Sequence, residues 1–400
     1  MLNDYPPPEP PDVPDDHGPD SEPEPQSRSG RARERQRRRR ERQAGTDTAR
    51  RGPSQINPAR SVTLPRLNLS LTRGRLLLVI GGAAVFIVVV IALIGRLKEP
   101  EVALAPNAVW LGTGWTYELQ ELDDIDGLAA HLQDFDIGTV YAWVSWLQED
   151  ESWRGAENFG AVGAFAKGLK NTYPESRILG WVSFPVNMGE DNYRLDDETL
   201  QQDIADFSAR VVNDLGFDGV FLNIEPVWDG DENFLALLRK VRASVGEDAI
   251  ISVAVPPDWS PVGAGIPVPP LIVPGTIWST EYKQSVALLA DEMAIMAYNS
   301  GLDDPDDYAE WTAYQVRAFA EALDPLGEGT TLMMGIPTYD AEPPGHDPEV
   351  ENIRTAVRGV LDGLRQAGGA ARLVRGLAIY ADWTTDDAEW QQFKTDWVNR

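Results

Sequence analysis

Asn223 and Glu225 stand two residues apart in the run 216–226, Gly-Phe-Asp-Gly-Val-Phe-Leu-Asn-Ile-Glu-Pro. Side chains alternate along a strand, so an amide and a carboxylic acid share one face while Val220, Leu222 and Ile224 take the other. A carboxyl at the end of a buried strand is desolvated. Its pKa should rise, which lets it keep a proton and deliver it as a general acid. An amide beside it can orient a polar group of the reactant. Asp340 or Glu342, just past Tyr339, is a candidate for a second carboxylate, so a two-carboxylate mechanism also stands open. Other chemistries lack their residues. There is no Cys, hence no disulfide, thiolate ligand or cysteine nucleophile, and His17, His131 and His346 are too scattered for a metal site. No metal or cofactor is expected.

Something must bring these residues to one place. Apolar runs of strand length recur at 109–115, 139–146, 177–184, 219–225, 250–255, 292–298, 331–337 and 376–381. Amphipathic stretches lie between and after them at 124–135, 159–173, 197–215, 232–245, 285–290, 308–323, 349–367 and 386–397, with Asp197 and Asp231 as N-caps. Most strand runs are apolar on both faces, as in a parallel sheet covered by helices. Eight such pairs predict an α/β fold, a (β/α)8 TIM barrel. A doubly wound open sheet would show a Gly-rich phosphate loop after its first strand, and Gly112-Thr113-Gly114 lacks the third Gly. Barrel chemistry sits at the C-terminal rim. Trp115, Trp146, Trp153, Trp181, Trp228, Trp259, Trp278 and Trp383 fall at or beyond strand ends. As a set they suit a carbohydrate groove, where sugar faces stack on indoles. The acidic runs 229–232 and 303–307 lack the ligand spacing of a calcium loop.

At this point the sequence resembles a family. Asp-Gly-x-x-x-Asn-x-Glu at 218–225 looks like the Asp-Gly-x-Asp-x-Asp-x-Glu signature of family 18 glycoside hydrolases, the chitinase-like barrels. The run 291–299, ending Met296-Ala297-Tyr298-Asn299, resembles that family's sixth strand. Met334-Gly335-Ile336-Pro337-Thr338-Tyr339 is similar to the seventh, and Gly376-Leu377-Ala378-Ile379-Tyr380 to the eighth, which usually ends in Trp. The resemblance spans about residues 107–397 and implies one acid, Glu225. The substrate's own N-acetyl group would be the nucleophile, a substrate-assisted route. It also implies that Asn223 orients the acetamide and that Tyr298 binds its oxygen. The expected substrate contacts, from these motifs and from the rim aromatics together, are Met296, Asn299, Tyr339, Asp340, Tyr380, Trp383, Trp181 and Trp115. Phe221 and Asn223 replace two family Asp residues, and Leu179-Gly180-Trp181-Val182 departs from the third-strand pattern. The Asn-x-Glu pair resembles family 85 endo-β-N-acetylglucosaminidases. An active glycosidase on N-acetylhexosamine glycans and a weak or inactive glycan-binding barrel both follow from these departures.

Charge divides the chain. It has 400 residues, 35 Lys+Arg against 63 Asp+Glu, and a net charge of −28. Residues 1–75 hold 15 Arg and 11 Asp+Glu; residues 96–400 carry −32 and all 13 Trp. The acidic part is unsuited to nucleic acid. Residues 76–95 carry no charge, and twenty helical residues span roughly 30 Å, a bilayer's hydrocarbon core. The expectation is a single-pass signal anchor. Arg60, Arg66, Arg73 and Arg75 precede it, placing the N-terminus in the cytoplasm and the barrel outside the cell membrane. The Pro-rich, Arg-rich tail 1–75 is expected to be disordered, its basic block 28–42 serving topology or touching anionic lipid. Residues 96–106 then form a linker, and 107–400 the barrel.

Overall fold

The computed structural model describes residues 107–187, 193–260, 265, 268–270, 272, 274–340 and 345–400. Eight parallel strands follow one another around a closed barrel. They are β1 Asn107–Leu111, β2 Ile137–Trp146, β3 Arg177–Pro185, β4 Gly219–Glu225, β5 Ile250–Val255, β6 Glu292–Met296, β7 Thr331–Pro337 and β8 Val374–Tyr380. The pairing of Ala108 and Val109 with Ala378 and Ile379 closes the ring and excludes the open sheet. Helices α1 Leu122–Asp134, α2 Phe159–Thr172, α3 Glu198–Asn213, α4 Glu232–Val245, α5 Thr280–Ala287, α6 Pro305–Leu323, α7 Ile353–Ala367 and α8 Asp387–Phe393 follow the successive strands.

Alternation along the strands builds two cores. Val220, Leu222 and Ile224 join the aliphatic layer that includes helix residues such as Ile204 and Leu238. Trp110, Tyr141, Trp143, Trp181 and Phe221 form a separate aromatic cluster. Deeper still, Tyr141 and Ser252 donate to the buried Glu292 carboxylate at 2.6 and 2.7 Å. The inside of the barrel is therefore a packed, hydrogen-bonded floor rather than a channel.

Several boundaries differ from the sequence expectation. β1 stops at Leu111, and Thr113–Thr116 forms one helical turn, so Trp115 stands on that turn rather than in the strand. The fifth helix begins earlier than 285, because Ser279 caps it by accepting from the Tyr282 N–H. The seventh begins later than 349, at a capping box formed by Asn352 and Thr355. Asp197 and Asp231 cap α3 and α4. Asp304 caps α6, giving an acidic residue of the 303–307 run a structural task. The tail 1–75, the apolar run 76–95 and the linker 96–106 lie outside the described residues, as does Glu342. Among the described residues, no helix is long and apolar enough to cross a membrane.

Candidate active site

Only part of the 218–225 run faces the site. Asp218 works on the scaffold: its carboxylate accepts from the Ile178 N–H at 2.9 Å and from Lys170 at 2.8 Å. Asp291, before β6, does the same for Ile251 and Arg242. Inside, Phe221 stacks on Tyr141 with ring centres 4.3 Å apart and meets Trp110 edge-on at 5.5 Å. Asn223, 8% exposed, lies above this aromatic floor in register with Ser183 of β3. It donates from Nδ2 to Ser183 Oγ at 3.1 Å. The same amide hydrogen-bonds Glu225 and pulls that carboxyl's pKa down. With its N–H groups engaged, the acceptor Oδ1 is the part of the amide open to a ligand N–H.

Glu225 closes the strand. It is exposed at the strand's end, and the surrounding protein still desolvates its carboxyl. Desolvation is the larger influence, and it raises the Glu225 pKa above the ordinary carboxylate value. Asp340 is not among the groups acting on it. That residue is exposed and interacts instead with Glu389 of α8.

Tyrosines form the opposite wall. Tyr298, two residues beyond β6, stacks on Tyr380 with centres 5.3 Å apart and planes 19° from parallel. Burial raises both phenols, and the nearby Glu225 charge adds to the shift. Tyr380 is the hub: Trp110, Trp383, Tyr339 and Trp181 meet it edge-on at 5.4, 5.8, 6.1 and 6.4 Å. Met296 packs against the same cluster. Tyr339 donates to Asn299 Oδ1 at 2.5 Å, leaving the Asn299 amide nitrogen as its open end. The Glu225–Pro226 and Tyr380–Ala381 peptide bonds are cis.

The tryptophans divide by role. Trp181 is 5% exposed and crosses Trp143 edge-on at 4.7 Å, a buried wall rather than a platform. Trp115 packs against the outer core and gives its indole N–H to Asp382 at 2.9 Å. Trp153 stacks on Phe207, while Trp278 and Trp259 donate to the Val227 and Ile272 carbonyls. Two indoles stay open. Trp383 is 42% and Trp228 38% exposed. Each lies against a glycine: a Cβ on Gly112 would come within 2.9 Å of the Trp383 ring, and one on Gly275 within 2.3 Å of Trp228. Ser183 and Asp382 also belong to the site and do not stand out in the sequence. Strand alternation from Trp181 could have found Ser183, and Asp382 follows Tyr380 by two residues; neither type stood out by itself.

No protein-family model matches the chain, and no curated protein matches it. Solved structures do. A family 18 chitinase from Pseudoalteromonas aurantia aligns with 15% identity and a TM-score of 0.50, over 73% of this chain and 100% of that one. A chitinase from Bacteroides thetaiotaomicron aligns with 12% identity and a TM-score of 0.48, over 72% and 93%. The Bacillus cereus spore cortex-lytic enzyme SleL aligns with 11% identity and a TM-score of 0.47, over 73% and 74%. The fold is that of the family 18 chitinase-like barrels.

Proposed function

We propose that the chain is a glycoside hydrolase that cleaves N-acetylhexosamine glycans by substrate-assisted retention. The observation that carries this is the desolvated carboxyl of Glu225, hydrogen-bonded by Asn223 and sharing one barrel mouth with Tyr298, while Asp340 acts on Glu389 instead. Glu225 gives its proton to the glycosidic oxygen as the bond to the anomeric carbon breaks. The acetamide oxygen of the same sugar forms the new bond to that carbon, giving an oxazolinium. Asn223 Oδ1 accepts the acetamide N–H, and the Tyr298 hydroxyl donates to the acetamide oxygen. Water then bonds to the anomeric carbon as the oxazolinium's carbon–oxygen bond to that carbon breaks and restores the acetamide, with the Glu225 carboxylate taking the water's proton. Asn223 is neutral, so it stabilises the cation by dipole and orientation alone.

The test is release of fluorophore from an N,N′-diacetylchitobioside, together with cleavage of chitin and peptidoglycan oligomers, by the detergent-solubilised full chain. Glu225→Gln should lower turnover about 10²- to 10⁴-fold, the usual share of a general acid. Unchanged turnover in that variant would falsify the assignment. Oligosaccharide binding with no cleavage of any of these substrates would favour a glycan-binding barrel. Asn223→Ala should harm N-acetylated substrates far more than unacetylated ones, and equal harm to both would count against substrate assistance.

The apolar run 76–95 and its Arg-rich flank support tethering of this barrel outside the cell membrane. Full-length protein should sediment with membranes, with its barrel digested by protease added outside intact cells. Recovery in the soluble fraction would overturn the tether.

A further inference from the structure

Tyr298 lies beyond the end of β6, so strand pairing does not hold its ring in place. Asn299 follows with φ of +54°, a left-handed conformation that Asn tolerates better than most residues. The turn is instead held from behind. Glu351, 1% exposed, accepts the Asn299 N–H on Oε2 at 2.8 Å and the Ser300 N–H on Oε1 at 2.7 Å. The Ser300 hydroxyl also donates to Oε1, since its oxygen accepts from the Leu302 N–H. His346 completes the ring of contacts, with Nδ1 3.1 Å from Glu351 Oε2 and Nε2 3.0 Å from the Tyr339 carbonyl oxygen. Both side chains are shut off from solvent.

The Tyr339 carbonyl can only accept, so Nε2 carries a hydrogen. One further proton lies between Glu351 Oε2 and Nδ1, and either atom could hold it. Three donors, the Asn299 and Ser300 N–H groups and the Ser300 hydroxyl, already point at the carboxylate and favour its charged form. The shared proton then rests on Nδ1. We infer that Glu351 and His346 form a buried carboxylate–imidazolium pair whose task is to position Tyr298 and Tyr339 over the site. The circuit runs from Asn299 through Glu351 and His346 to Tyr339, and the Tyr339 hydroxyl returns to Asn299. It locks the β6 and β7 loops together, as does the Gly301 N–H on the Gly345 carbonyl. The phenols of Tyr308 and Tyr339 also face Glu351, and both are driven up by burial first and by its charge second. Neither Glu351 nor His346 needs to touch substrate, so both are positioning residues.

The kinetic part rests on the proposed hydrolase activity; the protonation part does not. The full chain labelled with ¹⁵N-histidine has three imidazoles to resolve. Near neutral pH, one should show both ring nitrogens protonated, and that signal should vanish in His346→Gln. In Glu351→Gln the same ring should hold one proton. A singly protonated His346 in the unaltered chain would overturn the pair, and this needs no variant to fold as the parent does. Glu351→Gln and Tyr339→Phe should lower kcat up to about 100-fold with KM shifted less than about threefold, as loss of alignment predicts. A folded Glu351→Gln, by near-ultraviolet circular dichroism, with unchanged kcat would equally overturn it. Absence of turnover in the unaltered chain would sink the hydrolase and leave the imidazole measurement to decide the pair.

Discussion

At the scale of single residues, environment decides whether Glu225 can serve as the proposed acid. Glu225 is raised mainly by desolvation of its carboxyl in the barrel mouth, with the Asn223 amide opposing. A general acid works only while protonated, so kcat/KM should stay level below the raised pKa and fall about tenfold per pH unit above it. The sign for stability follows the same proton. The folded carboxyl holds it to higher pH than the unfolded one. That contribution is complete below the unfolded pKa and is lost as pH rises through the folded pKa. Glu225→Gln should therefore match the parent's Tm in acid and exceed it at neutral and alkaline pH. A variant less stable at high pH would contradict the desolvation argument. The alternation that aimed Asn223 and Glu225 inward was legible from sequence, because a strand's period of two leaves no other choice. Ser183 was not, because its partner across the sheet is set by register between β3 and β4.

At the scale of elements, cap chemistry and apolar periodicity located the helices and strands to within a few residues in most cases. Misses fell where one side chain decided the boundary, as Ser279 does for α5 and Asn352 for α7. The loop after β5 shows what periodicity cannot reach. Asp258 is buried there against Lys283 of α5, while Gln315 and Trp311 of α6 grip its backbone. Burial raises the Asp258 carboxyl even though the lysine opposes it. Lys283 also lies over the Phe319 ring. Lys283→Met strands a buried carboxyl and should cost roughly 3–5 kcal/mol in denaturant unfolding, the usual consequence of removing one partner of a buried pair. A loss below about 1 kcal/mol would place this pair with exposed ones.

At the scale of the whole molecule, barrel closure gives the two open indoles a relation that sequence distance hides. Trp383 lies against Gly112, at the seam of β8 and β1, and Trp228 against Gly275, at the seam of β4 and β5. These seams are opposite one another in a ring of eight, with Glu225 at the end of β4. On the proposed function, a glycan chain crossing the rim could stack on both. Trp228→Ala and Trp383→Ala should each raise KM for long oligomers by roughly 2- to 12-fold, about 0.5–1.5 kcal/mol of stacking. A disaccharide substrate should lose at most one of these contacts, so equal losses on short and long substrates would exclude a chain-spanning groove.

What the sequence determined by itself was local and periodic: alternating strands, amphipathic helices, caps, an inward amide–acid pair and an uncharged run of bilayer length. These follow from nearest-neighbour geometry and need no knowledge of the rest of the chain. The tertiary structure decided which residues meet. Asn223 meets Ser183, Tyr298 meets Tyr380, and Glu351 and His346 meet behind the turn that follows β6. Such pairings depend on register, ring closure and loop path. Sequence spacing leaves these undetermined, whereas burial selects among them, because an enclosed polar group left without a partner costs free energy.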